Sequence, residues 1–293
     1  MQHFDMVIKN HIAPRLGALP LSRVNRPRVQ RWVNEMDGSP RSIRHRFAVL
    51  HNALEAAVVD GRIARNPCDG VALPELDAAE TPVLSAGEVR RLLAGTVGDR
   101  LHAVWAVMVA TGLRISEVRG LSWDDWQGNQ LHVRAQLARR SGTYERVDGH
   151  RRLVEPGRWE LVDPKAARTR EALTLPQFAI AALEEHQRRM AAERKPEWPF
   201  FGLIFVTPRG MPYHEQAILA ELYATEERLG LPRVWLHGLR HTNASLLAEG
   251  GVSEEVRMAR LGHNTRAMAR HYAKVGDVQD GLAADVLQRV VAN

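Results

Sequence analysis

The chain has 293 residues, which exceeds the usual size of a single domain and predicts two. Hydrophobic residues make up 45% of the sequence and charged residues 25%, and no apolar run reaches the roughly 20 residues of a membrane span. These values predict well-filled cores and exclude a protein that spans a membrane. The opening residues lack the features of a signal peptide, and Cys68 is a lone cysteine. We therefore expect a cytoplasmic protein with a reduced thiol.

The surplus of positive charge, +6 at neutral pH, is concentrated near the N-terminus. Residues 1–66 contain eleven Lys or Arg and five Asp or Glu, so the remaining residues carry no net charge. A basic segment ahead of a balanced one is typical of a protein whose first part grips a polyanion. We therefore expect nucleic acid as the partner of this first segment.

Residues 1–66 are predicted to form a helical domain. Asn25 is placed to cap one helix, and Ser39-Pro40 opens a longer one with an apolar stripe. Basic side chains cluster on and before these helices, at Arg23, Arg26, Arg28, Arg41, Arg44 and His45. A charged helix face is usually only solvated, but this clustering favours contacts with DNA phosphates.

A second domain is predicted beyond a linker. Residues 67–83 contain three prolines and no periodicity, which is typical of a linker. Residues 84–293 begin with a capping box at Ser85 and Glu88 and continue as helices. Short antiparallel strands are predicted at residues 131–137, 159–163 and 171–175. The sequence thus predicts a mainly α fold with a small antiparallel β-sheet (α+β).

A short helix is expected at the end of the chain, from about residue 280 to residue 293. Its apolar stripe comprises Leu282, Val286, Leu287, Val290 and Val291. Such a helix is too short to be stable alone. From the sequence alone, packing on its own domain and docking on another copy of the chain are equally compatible with this stripe.

Five side chains suited to phosphodiester chemistry follow one another along the chain, namely Arg114, His237, Arg240, His263 and Tyr272. A guanidinium fork matches phosphate oxygens, an imidazole transfers protons near neutral pH, and a phenol can act as a covalent nucleophile. Singly, each has a simpler explanation, because His-x-x-Arg occurs by chance in helices and most tyrosines pack in cores. Their joint occurrence favours a site that acts on a phosphodiester.

A metal site is the competing interpretation, because His237 and His241 are spaced i, i+4. Zinc hydrolases with that spacing place a glutamate between the histidines, whereas this chain has Gly-Leu-Arg there. The charge of Arg240 would repel a divalent cation, and no carboxylate-rich cluster lies near these motifs. We therefore expect neither a metal nor another cofactor, and we expect His241 and His271 to be supporting or surface residues.

The motifs TGLRISEVRGLSWDD, LHGLRHTNASLL and LGHNTRAMARHY resemble those of the tyrosine recombinases (phage integrase family), and the resemblance covers most of the chain. It implies that Tyr272 attacks the scissile phosphate, forms a 3′-phosphotyrosyl bond and releases a 5′-hydroxyl. Arg114 and Arg240 would then clamp the phosphate, with His263 as their hydrogen-bonding partner. His237 would occupy the position of a proton acceptor or hydrogen-bond donor.

Two further positions match the family, one of them less closely. Lys165 aligns with the lysine that protonates the leaving 5′-oxygen, although Ala166 stands where the commoner pattern has a threonine. Glu117 matches an acidic position that supports the active site.

The resemblance also implies an architecture and partners. Residues 1–66 resemble the helical core-binding domain of phage integrases, without most of its first helix and without an arm-binding domain. The expected partner is a double-stranded recombination site, bound by a tetramer whose C-terminal tails dock on neighbouring protomers. Two alternatives remain open from the sequence: a non-catalytic DNA-binding protein derived from an integrase, and a type IB topoisomerase, which shares the same chemistry.

Overall fold

A computed structural model describes residues 2–76, 82–140, 143–147, 150–155, 158–163, 172–199, 202–262 and 277–292. The chain divides into two compact units, Met1–Glu80 and Thr81–Asn293. Among the described residues, no helix has the length and apolar character needed to cross a membrane.

The first unit is helical. It contains α1 (Gln2–Val7), a π-helical turn (Ile8–Ile12), α2 (Ala13–Leu16), a 3-10 turn (Leu21–Arg23), α3 (Arg26–Asn34) and α4 (Pro40–Val59). As the sequence predicts, the Asn25 side chain caps α3 by accepting the Arg28 N–H at 3.2 Å, and Ser39 caps α4. The core of the unit lies between these helices and includes Val29, Trp32, Phe47, Leu50 and Leu54.

The first half of the segment predicted as a linker packs against this first unit. Cys68 is buried in the core of the unit, and burial raises the pKa of its thiol to about 12, so the thiol stays protonated. Gln30 exchanges two hydrogen bonds with the backbone of Ala72, at 3.0 and 2.8 Å. Arg44 donates from Nε to the Pro74 carbonyl at 2.8 Å. These side chains hold the segment in place.

The second unit is built mainly from helices. They are α5 (Ala86–Gly95), α6 (His102–Thr111), α7 (Ile115–Arg119), α8 (Gln177–Glu193), α9 (Glu215–Leu229), α10 (Leu236–Glu249), α11 (Glu254–Leu261) and α12 (Asp277–Ala292), with a 3-10 turn at Trp123–Asp125. The Ser85 capping box begins α5 as predicted. Helix α6 is buried on all sides, and α5, α7, α8 and α10 pack against it. It therefore forms the centre of the unit.

The strands of the second unit are short and antiparallel. They are β1 (Trp126–Gln127), β2 (Gln130–Leu131), β3 (Gln136–Arg140), β4 (Thr143–Val147), β5 (His150–Glu155), β6 (Arg158–Val162) and β7 (Leu173–Thr174). Among the described residues they pair as β1-β2-β7, β3-β6 and β4-β5. The predicted class, mainly α with a small antiparallel sheet, is confirmed.

Two details of the strands differ from the sequence prediction. The strand expected over residues 131–137 is split, because β2 ends at Leu131 and β3 begins at Gln136. The hairpin β4–β5 occupies a polar stretch for which the sequence pattern predicted no strand. The Asp-Gly pair between its two strands is a known hairpin signal and could have revealed it.

The C-terminal helix α12 packs on its own unit. Ala283, Ala284, Val286, Leu287 and Val291 are buried in the core of the second unit. Leu282, by contrast, is 58% exposed. In a single chain the apolar stripe is therefore covered except at Leu282, and docking of the buried residues on a neighbour would require α12 to leave this core.

Candidate active site

Arg114 is positioned by the turn that joins α6 to α7. Helix α6 ends at Gly112, which adopts a left-handed conformation with φ of +60°. A side chain on Gly112 would also collide, since an added Cβ would lie 2.5 Å from Leu261 Cδ2 and 2.8 Å from Asn243 Oδ1. Glycine is therefore required here for both conformation and space. The chain then reverses and presents Arg114 at the start of α7.

Glu117 holds the Arg114 side chain in place. Its carboxylate accepts the Arg114 backbone N–H at 2.9 Å and the Arg114 Nη1 at 3.1 Å. Glu117 is buried, whereas the side chain of Arg114 is 35% exposed. The carboxylate thus orients a guanidinium that still reaches solvent.

Arg240 is the most buried cation of the cluster. Its side chain lies on α10 and is 1% exposed. Nη1 donates to the Gly112 carbonyl at 2.6 Å, and Nη2 donates to the Leu261 carbonyl. The first carbonyl lies two residues before Arg114, and the second lies two residues before His263. One guanidinium therefore ties together the two chain segments that lead into these predicted site residues.

His237 lies in the first turn of α10, beside these arginines. Its pKa is lowered, first by burial and then by the positive charges of His241, Arg240 and Arg114. The rings of His237 and His241 meet edge to face, with centroids 4.9 Å apart. His237 is thus held in its neutral form near pH 7, in which one ring nitrogen can accept a proton.

A second buried cation, Arg260, organises the neighbouring elements. Arg260 on α11 pairs with the Asp280 carboxylate on α12. It also donates to the carbonyls of Ala110 at 3.1 Å and Thr174 at 2.7 Å. Asp280 in turn accepts the Thr174 N–H. Neither residue was predicted from the sequence, where both look like ordinary solvated helix charges and no local signal marks them.

The structure brings four of the predicted site residues together: Arg114, Glu117, His237 and Arg240. Lys165, His263 and Tyr272 lie outside the described residues. His237 and His241 do not form a metal site with any third ligand in the described ranges, where no group of three or more His, Cys, Asp or Glu could hold an ion.

The basic residues predicted to bind DNA lie on the first unit. Five of them are exposed, namely Arg23, Arg26, Arg28, Arg41 and His45. Arg44 differs, because it is half-buried and its Nε is engaged by the Pro74 carbonyl. Its remaining guanidinium nitrogens would have to make any phosphate contact.

Known proteins share both the sequence pattern and the fold. Residues 82–278 match the model of the phage integrase family. A tyrosine recombinase XerC-like protein of Caldanaerobacter subterraneus subsp. tengcongensis is 26% identical, over 97% of this chain and 75% of its own length. Two solved structures share the fold. The Tn1549 transposon integrase in complex with a circular intermediate DNA matches 98% of this chain and 92% of its own, with 20% identity and a TM-score of 0.74. A lambda integrase tetramer bound to a Holliday junction matches 92% and 70%, with 17% identity and a TM-score of 0.61.

The family match covers most of the second unit, which contains the buried Arg240 and the oriented Arg114. The fold of the two integrases extends over nearly the whole chain, including the helical first unit. The chain belongs to the phage integrase family, whose members are tyrosine recombinases.

Proposed function

We propose that this protein cuts and rejoins double-stranded DNA at a specific site, with Tyr272 as the nucleophile. The phenolic oxygen of Tyr272 attacks the scissile phosphorus and passes its proton to the neutral imidazole of His237, while the bond from phosphorus to the 5′-oxygen breaks. Lys165 supplies the proton that the leaving 5′-oxygen takes up. The product is a 3′-phosphotyrosyl bond with a free 5′-hydroxyl, and attack by a 5′-hydroxyl in the reverse direction rejoins the strand.

The cluster of Arg114, Arg240 and neutral His237 is the observation that carries this proposal. The phosphoryl oxygens gain negative charge in the transition state, so cations fixed beforehand stabilise the transition state more than the ground state. Arg240 is held by backbone carbonyls in a site nearly closed to water, where its charge is weakly screened. An arginine that stabilises phosphoryl transfer can contribute about 10³–10⁵ in rate.

A nicked half-site tests the covalent step. When the strand beyond the cut is too short to stay annealed, the 5′-hydroxyl diffuses away and the protein remains attached to DNA. We expect a covalent adduct with the native chain and none with Tyr272→Phe. Tyr223→Phe is the matched control, because Tyr223 is a half-buried tyrosine on α9 that stacks with Arg233.

The result also separates the alternatives. An adduct that persists in Tyr272→Phe contradicts the nucleophile, and DNA binding without any adduct favours a non-catalytic DNA-binding protein. Relaxation of a supercoiled plasmid that lacks a recombination site favours a topoisomerase. Retained cleavage in millimolar chelator is expected, since no step of the proposed chemistry uses a metal ion.

We further propose that the first unit holds the DNA backbone through its exposed basic side chains. For every phosphate that the protein no longer neutralises, the slope of log Kd against log salt should fall by about 0.9. The triple variant Arg23→Ala, Arg26→Ala, Arg28→Ala is expected to weaken binding to all DNA sequences and reduce this slope by about 2–3. An unchanged slope would show that these residues do not contact DNA phosphates.

We propose, finally, that four copies assemble on two duplexes and exchange their α12 helices. The lambda integrase tetramer supports the assembly. Exchange requires α12 to leave the core that it fills in the single chain. Gly250 offers a way to trap either arrangement, because a Cβ at this position would lie 3.5 Å from Val286 Cβ, within disulfide range.

The double variant Gly250→Cys, Val286→Cys therefore reports where α12 packs, in a background with Cys68→Ala. Oxidation of the free protein should give a disulfide within one chain, and oxidation on recombining DNA should link different chains. Chains locked before DNA is added should bind single sites but fail to recombine. If locked chains recombine as well as reduced ones, α12 exchange is not needed.

A further inference from the structure

Helix α7, which follows directly after Arg114, packs on strand β3. Gly120 ends α7, and a Cβ there would lie 2.8 Å from both Gln136 Cα and Leu137 N. Only a glycine permits this approach, so the backbones of α7 and β3 touch. A side chain at the start of β3 can therefore contact both α7 and β6, the strand that pairs with β3.

Gln136 makes that link. It is buried, and its Oε1 accepts the Ser116 hydroxyl of α7 at 3.2 Å. Its Nε2 donates to the carbonyl oxygen of Asp163 at 3.1 Å. A carbonyl accepts only, so the amide orientation is fixed by Asp163: the reversed amide would place two oxygens against each other. Both ends of the amide are therefore used.

Asp163 is the first residue after strand β6, which ends at Val162. In the β3–β6 pair Gln136 lies opposite Val162, so its side chain reaches one residue beyond the strand end. The other part of β6 is also attached to α7, because the Arg119 guanidinium stacks on the Trp159 ring at 4.8 Å. These two contacts with α7 thus fix the position of β6 relative to the helix that follows Arg114.

We infer that Gln136 is a positioning residue for delivery of the proton to the leaving 5′-oxygen. Lys165 follows Asp163 by two residues in the sequence, so the fixed end of β6 determines where the lysine segment starts relative to Arg114. This inference rests on the proposed function, in which Lys165 is the proton donor. Displacing a reacting group by about 1 Å can cost about 10²-fold in rate.

The chemistry of the leaving group allows a specific test. A 5′-alkoxide needs a proton as the phosphorus–oxygen bond breaks. A thiolate in its place, in a substrate with sulfur as the bridging 5′-atom, leaves without one, because thiols are far more acidic than alcohols. A variant whose defect is proton delivery should therefore be slow on the oxygen substrate and fast on the sulfur substrate.

Gln136→Met keeps the length of the side chain and removes the donor to Asp163. We expect single-turnover cleavage of the oxygen substrate to slow by about 10–100-fold and cleavage of the sulfur substrate to change by less than about threefold. Lys165→Ala should show a larger defect with the same rescue. Thr96→Val is the stability control, because Thr96 is a buried hydroxyl bonded to His102 on α5–α6, away from β6.

The outcomes separate the two ideas. If Lys165→Ala is not rescued by sulfur, the proton-donor assignment fails, and the inference about Gln136 falls with it. If Lys165→Ala is rescued but Gln136→Met is equally slow on both substrates, Gln136 is structural only and the inference is wrong. Rescue of both variants, with Thr96→Val showing no substrate preference, supports it. Ser116→Ala should then give a weaker form of the same pattern.

Discussion

The ion pair of Arg260 and Asp280 should dominate the attachment of the C-terminal helix, and Asp280→Ala tests this directly. The side chain of Arg260 is 1% exposed and that of Asp280 is 14% exposed. Without the carboxylate, the guanidinium keeps its carbonyl partners on Ala110 and Thr174 but loses its counter-charge. The Thr174 N–H also loses its acceptor.

The expected cost follows from these interactions. Removing one partner of a buried ion pair costs about 3–5 kcal/mol, because an uncompensated charge stays behind. The missing backbone acceptor adds about 1 kcal/mol at most where water can replace it. Since whole domains are stable by about 5–15 kcal/mol, Asp280→Ala should lower the free energy of unfolding of the second unit by roughly 4 kcal/mol.

Urea unfolding followed by tryptophan fluorescence measures this change, because six of the seven tryptophans lie in the second unit. Asp285→Ala, at an exposed position on the same helix, is the control and should cost less than about 0.5 kcal/mol. The double variant Arg260→Met, Asp280→Leu should recover at least half of the loss, since no charge remains unpaired. A loss below about 1 kcal/mol for Asp280→Ala, or no recovery in the double variant, would refute this account of the pair.

Three further predictions follow from the site and its surroundings. His241→Gln removes a charge that lowers the pKa of His237, so the pKa of His237 should rise. The acidic limb of the pH profile of the cleavage rate should then move to higher pH. An unchanged pH profile would exclude His237 as the titrating group. Glu226 has its pKa raised from 4.5 to about 7 by burial, so its contribution favours the fold below pH 4.5 and is lost as pH rises through 7. The free energy of unfolding of Glu226→Gln, measured by urea titration, should therefore rise by about 2–3 kcal/mol relative to that of the native chain between pH 5 and pH 8. If the two free energies changed equally with pH, the raised pKa of Glu226 would be contradicted. Gly112→Ala combines a left-handed backbone with a collision, and should lower the melting temperature and slow adduct formation at least tenfold, whereas native-like cleavage would show that the turn is not needed to place Arg114.

Local sequence patterns predicted the starts of several helices and the family of this protein, because each of these signals lies within a few consecutive residues. Asn25, Ser39 and Ser85 begin their helices as predicted, since a capping side chain satisfies backbone amides three residues away. The motifs around Arg114 and Arg240 likewise identified the family, because the residue types that phosphate chemistry requires are few and were present in order.

Only the tertiary structure decided which charges are buried and which segments they join. In the sequence Arg240 and Arg260 both look like ordinary solvated arginines on helices. In the structure each is buried and donates to backbone carbonyls of distant segments. Gln136 carries no local signal, because its two partners lie 20 and 27 residues away. From the sequence, the apolar stripe of α12 could pack equally well on its own unit or on another copy of the chain. In a single chain its buried residues pack on their own unit, because that core is the apolar surface available to them. Periodicity shows that a side chain will be buried, whereas its contacts depend on the packing of the whole unit.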